Sequence, residues 1–298
     1  MLSRRTVLAA GAAGVVAVPA VAQTRTLTAA EVLARMRANI GTEWREGGVD
    51  RFIAGSPDMP VRGIATTMMA TFDALKAAVA QGLNLIITHE PTYWSHQDRL
   101  DQLQDDPLYK KKLAYIQAHD LIVYHFHDHW HAKRPIDGIN FGMARKMGWD
   151  GYRDAANSRL YNIPATTLAG LMRSFQVRLK DRTLRAVGDP ALTVSKVVTS
   201  WGNCSSFPGI PYLDGDADVL VIGEAQDWDL VAYVQDLAGA GRKKGLIVLG
   251  HVLSEQWGMD FCADWLKGLV KEVPVRFVPL IEPYWNPASP VFEINTRI

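Results

Sequence analysis

Gly82-Leu83-Asn84-Leu85-Ile86-Ile87-Thr88-His89 and Lys244-Gly245-Leu246-Ile247-Val248-Leu249-Gly250-His251 share one construction: an apolar run that follows a helical stretch and stops at a histidine. Runs this short and this continuous read as strands buried on both faces, the pattern of a parallel sheet covered by helices. Outward from the first run, Val61–Met69 reads as a strand, Thr71–Gln81 as a helix with Leu75, Ala78 and Val79 on one face, Pro107–Ala118 as a helix, Leu121–Phe126 as a strand and Gly138–Met147 as a helix. A polar stretch around Asp150–Leu160 follows. Beyond it, Ile163–Gln176 reads as helical, Leu184–Val187, Lys196–Thr199 and Asp218–Ile222 as extended, and Asp227–Leu237 as a helix. The second run, Gly245–Leu249, precedes an expected helix at Glu255–Val270 and a strand at Val275–Pro279. Alternation of strand and helix predicts an α/β fold. The echo of the two runs predicts two βα lobes facing one another, roughly 44–150 and 160–298, although buried Val/Ile/Leu strands resemble one another wherever they occur.

Open α/β sheets bind ligands at the carboxyl ends of their strands. Here those ends carry His89-Glu90, His127-Asp128, Glu224 and His251, so the site is expected between the lobes. Seven of the eight histidines lie between His89 and His131. In Thr88–Asp98 (THEPTYWSHQD), Pro91 stops the strand, and the bend it favours lets His89 and Glu90 face one centre. His125–His131 (HFHDHWH) packs four histidines and an aspartate into seven residues, with Asp128–His131 reading as the loop after a strand. Imidazole is the commonest metal ligand, and at least two of these four are expected to work as such, with His125 and His129 as bystanders. In Gly250–Glu255 (GHVLSE), a histidine at a strand end and a glutamate in the first helical turn can point into one cavity. Ligands of mixed nitrogen and oxygen type, without thiolate, suit Zn, Mn, Fe or Ni in a catalytic site. No HExxH, phosphate-binding glycine loop or GxSxG elbow occurs, which excludes the signatures of zincins, P-loop enzymes and serine hydrolases.

The chain begins MLSRRTVLAAGAAGVVAVPAVAQ, paired arginines before a weakly apolar stretch and a small-residue triplet, Ala20-Val21-Ala22. This reads as a twin-arginine-type export signal over residues 1–22, ahead of an α/β domain at 23–298 in a periplasmic or secreted protein. The apolar stretch is too interrupted for a transmembrane helix, so no membrane association is expected after cleavage. With 32 Lys+Arg against 31 Asp+Glu, the net charge of +1 provides no field for a polyanion, which excludes a general nucleic-acid surface and favours a small-molecule partner. Only Cys204 and Cys262 are present; they could pair in an oxidising compartment, but a chain of this size needs no disulfide framework.

Taken in order, Thr88-His89-Glu90-Pro91, His127-x-x-x-His131 with Gly138-Ile139-Asn140, Val219–Glu224 and Gly250-His251-x-x-x-Glu255 resemble the NIF-three-like dinuclear metal-centre hexameric proteins, also catalogued as type 2 homologues of GTP cyclohydrolase I. The likeness runs from about Trp44 to the carboxyl end. Two positions depart from the family pattern: Glu90 stands where the family has a second histidine, and His131 where it has an aspartate. A histidine and a carboxylate have thus exchanged places, which implies a retained but retuned site. The resemblance implies a two-lobed α/β fold, a centre of one or two divalent metals and a toroidal homohexamer built as a trimer of dimers.

These readings together predict a metal-dependent hydrolase acting on a small molecule. His89, Glu90, His131, His251 and Glu255 are the expected metal ligands, with His127 joining them or orienting one of them. The metal would bring the pKa of water towards about 7 for attack on an amide, cyclic amide or ester carbon. Asp128, which could serve as a further ligand or as a base, is the first candidate for moving the proton, and Glu224 the second. A storage protein would instead saturate its metal and leave no cleft beside it, and an assembly protein would not depend on the ligands at all. Aromatic walls from Trp94, Trp130 or Trp257 would favour the enzyme.

Overall fold

The computed structural model describes residues 26–97 and 99–287. The expected signal at 1–22 lies outside them. The first sheet comprises β1 (Arg51–Ala54), β2 (Ile64–Thr67), β3 (Leu85–Thr88), β4 (Ile122–His125) and the last of the described strands, β10 (Val275–Phe277), in the order β1-β4-β3-β2-β10. All its pairs are parallel except β1 with β4. In the second sheet β5 (Leu160–Thr167), β6 (Arg185–Val187), β7 (Thr193–Asn203), β8 (Val219–Glu224) and β9 (Gly245–Val248) lie in the order β5-β7-β8-β9-β6. Its centre, β7-β8-β9, is parallel and both edges are antiparallel. The α/β class and the facing lobes therefore hold. Strand β10, late in the chain, returns to the first sheet, beside β2.

Strand alternation sorts the apolar residues into three cores. From the first sheet, Ile86 and Val123 point outward onto α2 (Phe72–Ala80) and α3 (Pro107–Ala118). From the second, Leu220, Ile222 and Leu246 point outward onto α7 (Ser206–Asp214) and α8 (Ala232–Gly239). The inward faces, including Leu85, Ile87 and Ile122 on one side and Val219, Val221 and Ile247 on the other, share a continuous core. Filling it are α1 (Ala29–Asn39), α5 (Gly138–Met147), α6 (Leu168–Leu179) and α9 (His251–Leu269). Helix α9 packs against strands of both sheets. The Thr66 hydroxyl donates to the Met259 carbonyl at 2.7 Å and the Trp130 indole to the Gly258 carbonyl at 3.2 Å, tying α9 to the first lobe. Both lobes thus hold one helix, and their strand ends open towards the same space.

Local sequence explains most boundaries. Thr28 and Glu31 form a reciprocal capping box at the start of α1, and Thr71 caps α2. Three readings need correction. The stretch from Ile163 is strand as far as Thr167: Pro164 and the β-branched Thr166 and Thr167 disfavour a helix there, and the Thr167 hydroxyl then accepts from Gly170 N to cap α6. Asp128–Ala132 is a short helix, α4, where a loop was expected. The last long helix begins at His251, because Gly250, at φ 83°, turns the chain sharply out of β9. No helix among the described residues is long and apolar enough to cross a membrane. Cys204 and Cys262 are both buried and free.

Candidate metal centre

Each candidate ligand is placed by the end of a strand. β3 delivers His89 and Glu90, and β4 leads through Phe126 into His127 and α4. Asp50, beside β1, accepts from the backbone N–H of His127 at 2.7 Å, Asp128 at 2.8 Å and His129 at 3.0 Å, filling the unpaired donors of the helix start. Helical spacing then puts His127 and His131, four residues apart, on one face. On the opposite lobe His251 and Glu255 share a face of α9 in the same way. A bulge in β7 brings Gly202 against them: a Cβ there would lie 2.5 Å from Glu255 Oε1 and 3.2 Å from His251 Nε2, so the space that the carboxylate occupies exists because residue 202 is glycine.

The four imidazoles follow one rule. His89 Nδ1 donates to the Phe126 carbonyl at 3.2 Å, His127 Nδ1 to Asp128 at 2.9 Å, His131 Nδ1 to Asp137 at 2.9 Å and His251 Nδ1 to Glu224 at 3.1 Å. With Nδ1 protonated and held from behind, each ring turns Nε2 towards the others, the arrangement typical of metal-ligating histidines. The rings of His89 and His127 stand 4.6 Å apart, those of His127 and His131 4.8 Å, and those of His89 and His131 5.0 Å. Among them lie two buried carboxylates. Glu255 is 3.1 Å from His251 Nε2, 3.5 Å from His89 Nε2 and 3.9 Å from His131 Nε2; Glu90 is 3.4 Å from His251 Nε2 and 3.8 Å from His127 Nε2.

Among the described residues, three overlapping groups have ligand atoms close enough for one cation: His89, His127 and His131; Glu90, His96 and His127; and His89, Glu90 and Glu255. His89 Nε2 is fully buried and is not satisfied by a hydrogen bond. An orphaned imidazole nitrogen among inward-turned neighbours is the condition that a cation would relieve. These buried His and Glu groups could bind a metal ion.

Charge is balanced here by protons. Burial works against a charged Glu90, but the hydrogen bond from His251 and the nearby His89 and His251 outweigh it and hold the carboxyl down at about 2. Glu255 is held well below the ordinary carboxylate range, its complete burial overcome by His251 and His89. Against the cost of burial, His251 is raised to about 12 by hydrogen bonds to Glu224, Glu255 and Glu90, and His131 to about 9 by Asp137. His127 goes the other way, to about 4, through burial and the neighbouring His89 and His131.

Of the residues singled out in the sequence, His89, Glu90, His127, His131, His251 and Glu255 come together. Asp128 does not join them. Its Oδ1 bonds His127 Nδ1 and its Oδ2 accepts from Val49 N at 3.1 Å, so both oxygens are engaged behind His127, away from the cavity wall. Glu224 orients His251 and stays half exposed at the cavity. His125 bonds the His89 carbonyl at 2.9 Å, and His129 lies between Asp50, at 2.7 Å, and the Trp44 ring, 3.7 Å away. Both are structural. The sequence reading missed His96, 3.7 Å from Glu90, and Asp137, although an aspartate immediately before a predicted helix is a capping signal.

Above the cluster opens a cavity of about 740 Å³, walled by Trp94, His96, Arg159, Ser200, Trp201 and Asn203 among others. Trp94 is the one of the three expected tryptophans at this wall; Trp130 is fully buried in the core, and Trp257 carries the Lys146 ammonium 3.6 Å above its ring. Trp201, not anticipated, supplies the second indole. Asn140 holds it there. The Asn140 carbonyl oxygen accepts from Trp201 Nε1 at 2.9 Å and from the Tyr161 hydroxyl at 2.8 Å, while its amide donates to the Ser158 carbonyl at 2.7 Å.

The fold has solved counterparts. The chain is similar to a Bacillus cereus protein related to NIF3, at 14% identity and TM-score 0.70 over 88% of this chain and 100% of that one. It is similar to a Staphylococcus aureus hypothetical protein at 15% identity and TM-score 0.69, again over 88% and 100%. Reduced HcgD from Methanocaldococcus jannaschii aligns at 15% identity and TM-score 0.60 over 85% of this chain and 98% of that one. No curated protein matches the chain. Residues 30–283 match the family model of Duf34/NIF3 (NGG1p interacting factor 3), and the chain belongs to that family.

Proposed function

We propose that the protein is a metal-dependent hydrolase of small molecules. One observation carries this reading: four imidazoles with Nδ1 tied back and Nε2 turned inward meet two buried carboxylates at the floor of a cavity of about 740 Å³. A cavity of that size suits a metabolite, whereas a storage site would need none. His89, His127, His131, His251, Glu90 and Glu255 would hold one or two divalent cations of the Zn, Mn, Fe or Ni type. Such a cation supplies Lewis acidity, polarising a carbonyl and bringing the pKa of water towards about 7. Glu224, half exposed beside His251, is the carboxylate placed to take up and return a proton at the cavity. Asp128, Asp137 and the Phe126 carbonyl keep the ligand rings in one tautomer. Trp94 and Trp201 give the substrate an aromatic surface on which to lie.

Elemental analysis of protein purified after export in its native host, repeated on His251→Ala, tests the centre. Stoichiometric metal in the parent that is lost in the variant supports it. Absent metal, or metal unchanged by the substitution, sinks it. A screen of amides, cyclic amides and esters on the loaded parent then tests hydrolysis.

A further inference from the structure

Among the described residues, every carboxylate at the cavity has a partner, yet one permanent cation is left over. Asp137 gives one oxygen to His131 and the other to the Ile139 and Asn140 N–H groups; Glu224, Glu255 and Glu90 are engaged by His251. Arg159 lines the same cavity, near enough for its charge to act on both His131 and Asp137. Its guanidinium makes no hydrogen bond or ion pair to the protein among the described residues. Its backbone, by contrast, is fixed: the Arg159 carbonyl accepts from Thr199 N at 2.9 Å and from the Thr199 hydroxyl at 3.2 Å, which staples the start of β5 to β7. The side chain therefore springs from a rigid edge, next to Ser158, which Asn140 holds, and lines the same cavity as Trp201, which Asn140 also holds. A half-buried guanidinium offers five donors and no acceptor, and at the cavity wall its fork is open to an acceptor from outside.

We propose that Arg159 is the specificity residue of this cavity, receiving a carboxylate or phosphate group of the substrate while the bond to be cut lies over the His/Glu cluster. The inference rests on the hydrolase reading for the second half of that statement and on the chain's own residues for the first. A planar fork matches either oxyanion in bidentate fashion, and the amide of Asn203 at the same wall adds a neutral donor. The substrate class is thus a small molecule bearing a fixed negative charge some distance from its scissile amide or ester bond.

Calorimetric titration of phenyl phosphate, benzoate and benzamide into metal-loaded and chelator-treated protein provides the test, in the parent and in Arg159→Gln and Arg159→Lys. Expected for the loaded parent are saturable binding of an anionic probe and weak binding of benzamide. Arg159→Gln should weaken the anion at least about tenfold with metal content unchanged, and Arg159→Lys should recover part of the loss. The tighter of the two anions identifies the oxyanion. Anion binding that is insensitive to Arg159→Gln but abolished by chelation would place the anion on the metal and overturn the proposal, leaving the metal centre intact. Benzamide binding as tightly as the anions, or a parent that binds neither anion, overturns it as well. If no metal is present at all, the titration on the protein as purified still decides: loss on Arg159→Gln supports the arginine, and no loss overturns it.

Discussion

Asp137 serves two structures with its two oxygens. Oδ1 accepts from the Ile139 and Asn140 N–H groups and so starts α5, while Oδ2 accepts from His131 Nδ1 at 2.9 Å. Asp137→Asn separates these roles, because an amide oxygen can still cap the helix but the amide nitrogen meets the ring as a donor. His131 would then have to carry its proton on Nε2 and lose its lone pair towards the cluster. Metal affinity is expected to fall roughly 10–100-fold while the thermal midpoint of the metal-free protein stays close to that of the parent; affinity unchanged under chelator competition would show that His131 is not a ligand. The ligands themselves were legible in the sequence because each ends an apolar run or follows one closely, as His89 and His251 do. Of their supports, Asp128 and Glu224 were visible as carboxylates at strand ends, and the others were not. Phe126 acts through a carbonyl that any residue would supply, and Arg159 and Trp201 reach the cavity from a second sheet whose packing no local pattern reveals.

At the scale of elements, α4 shows why a ligand-bearing segment escapes sequence reading. Asp128-His129-Trp130-His131-Ala132 has no apolar period and is too short to persist as a helix by itself. It is held by Asp50, some eighty residues earlier, which takes three backbone N–H groups and the His129 ring. The His127/His131 spacing of four was the one local hint of a helix. Asp50→Ala leaves those four donors without their acceptor in a largely buried place, and the expected loss is ~3 kcal/mol or more, read as a lower urea midpoint. Metal content should fall with it, since His127 and His131 owe their common face to this turn. A variant with parental stability would assign the helix start to other contacts. Helices α3 and α5 needed no such remote support: they lie where the sequence puts them, at Pro107–Ala118 and Gly138–Met147, because Asp106 and Asp137 cap them locally.

For the molecule as a whole, the two sheets are held together by α9 and also by the chain after β10. Glu282, buried in that segment, returns to the second lobe and accepts from Arg182 N at 3.0 Å, from the Arg182 guanidinium and from the Thr183 hydroxyl. Beside it Asp181 Oδ1 accepts from Thr183 N and Leu184 N, but Asp181 Oδ2 is buried without a partner. Burial, and then the facing Glu282, push the Asp181 carboxyl up to about 6. The sign follows from the unfolded chain, whose aspartate ionises near the ordinary value of about 4. Below that pH both states hold the proton and the latch keeps its full stability. As pH rises through about 6 the unfolded state has already released its proton, and the folded state must either retain it or bury a second charge against Glu282. Stability is therefore lost as pH rises from about 4 to about 6 and is not regained above it, by ~2–3 kcal/mol at most. Asp181→Asn keeps the oxygen that serves Thr183 and Leu184 and removes the ionisation. Urea unfolding should find the variant more stable than the parent at pH 7.5, with the difference shrinking towards zero near pH 4. A difference that does not change with pH, or a variant weaker at pH 7.5, would mean that Asp181 is ionised and satisfied in the folded protein.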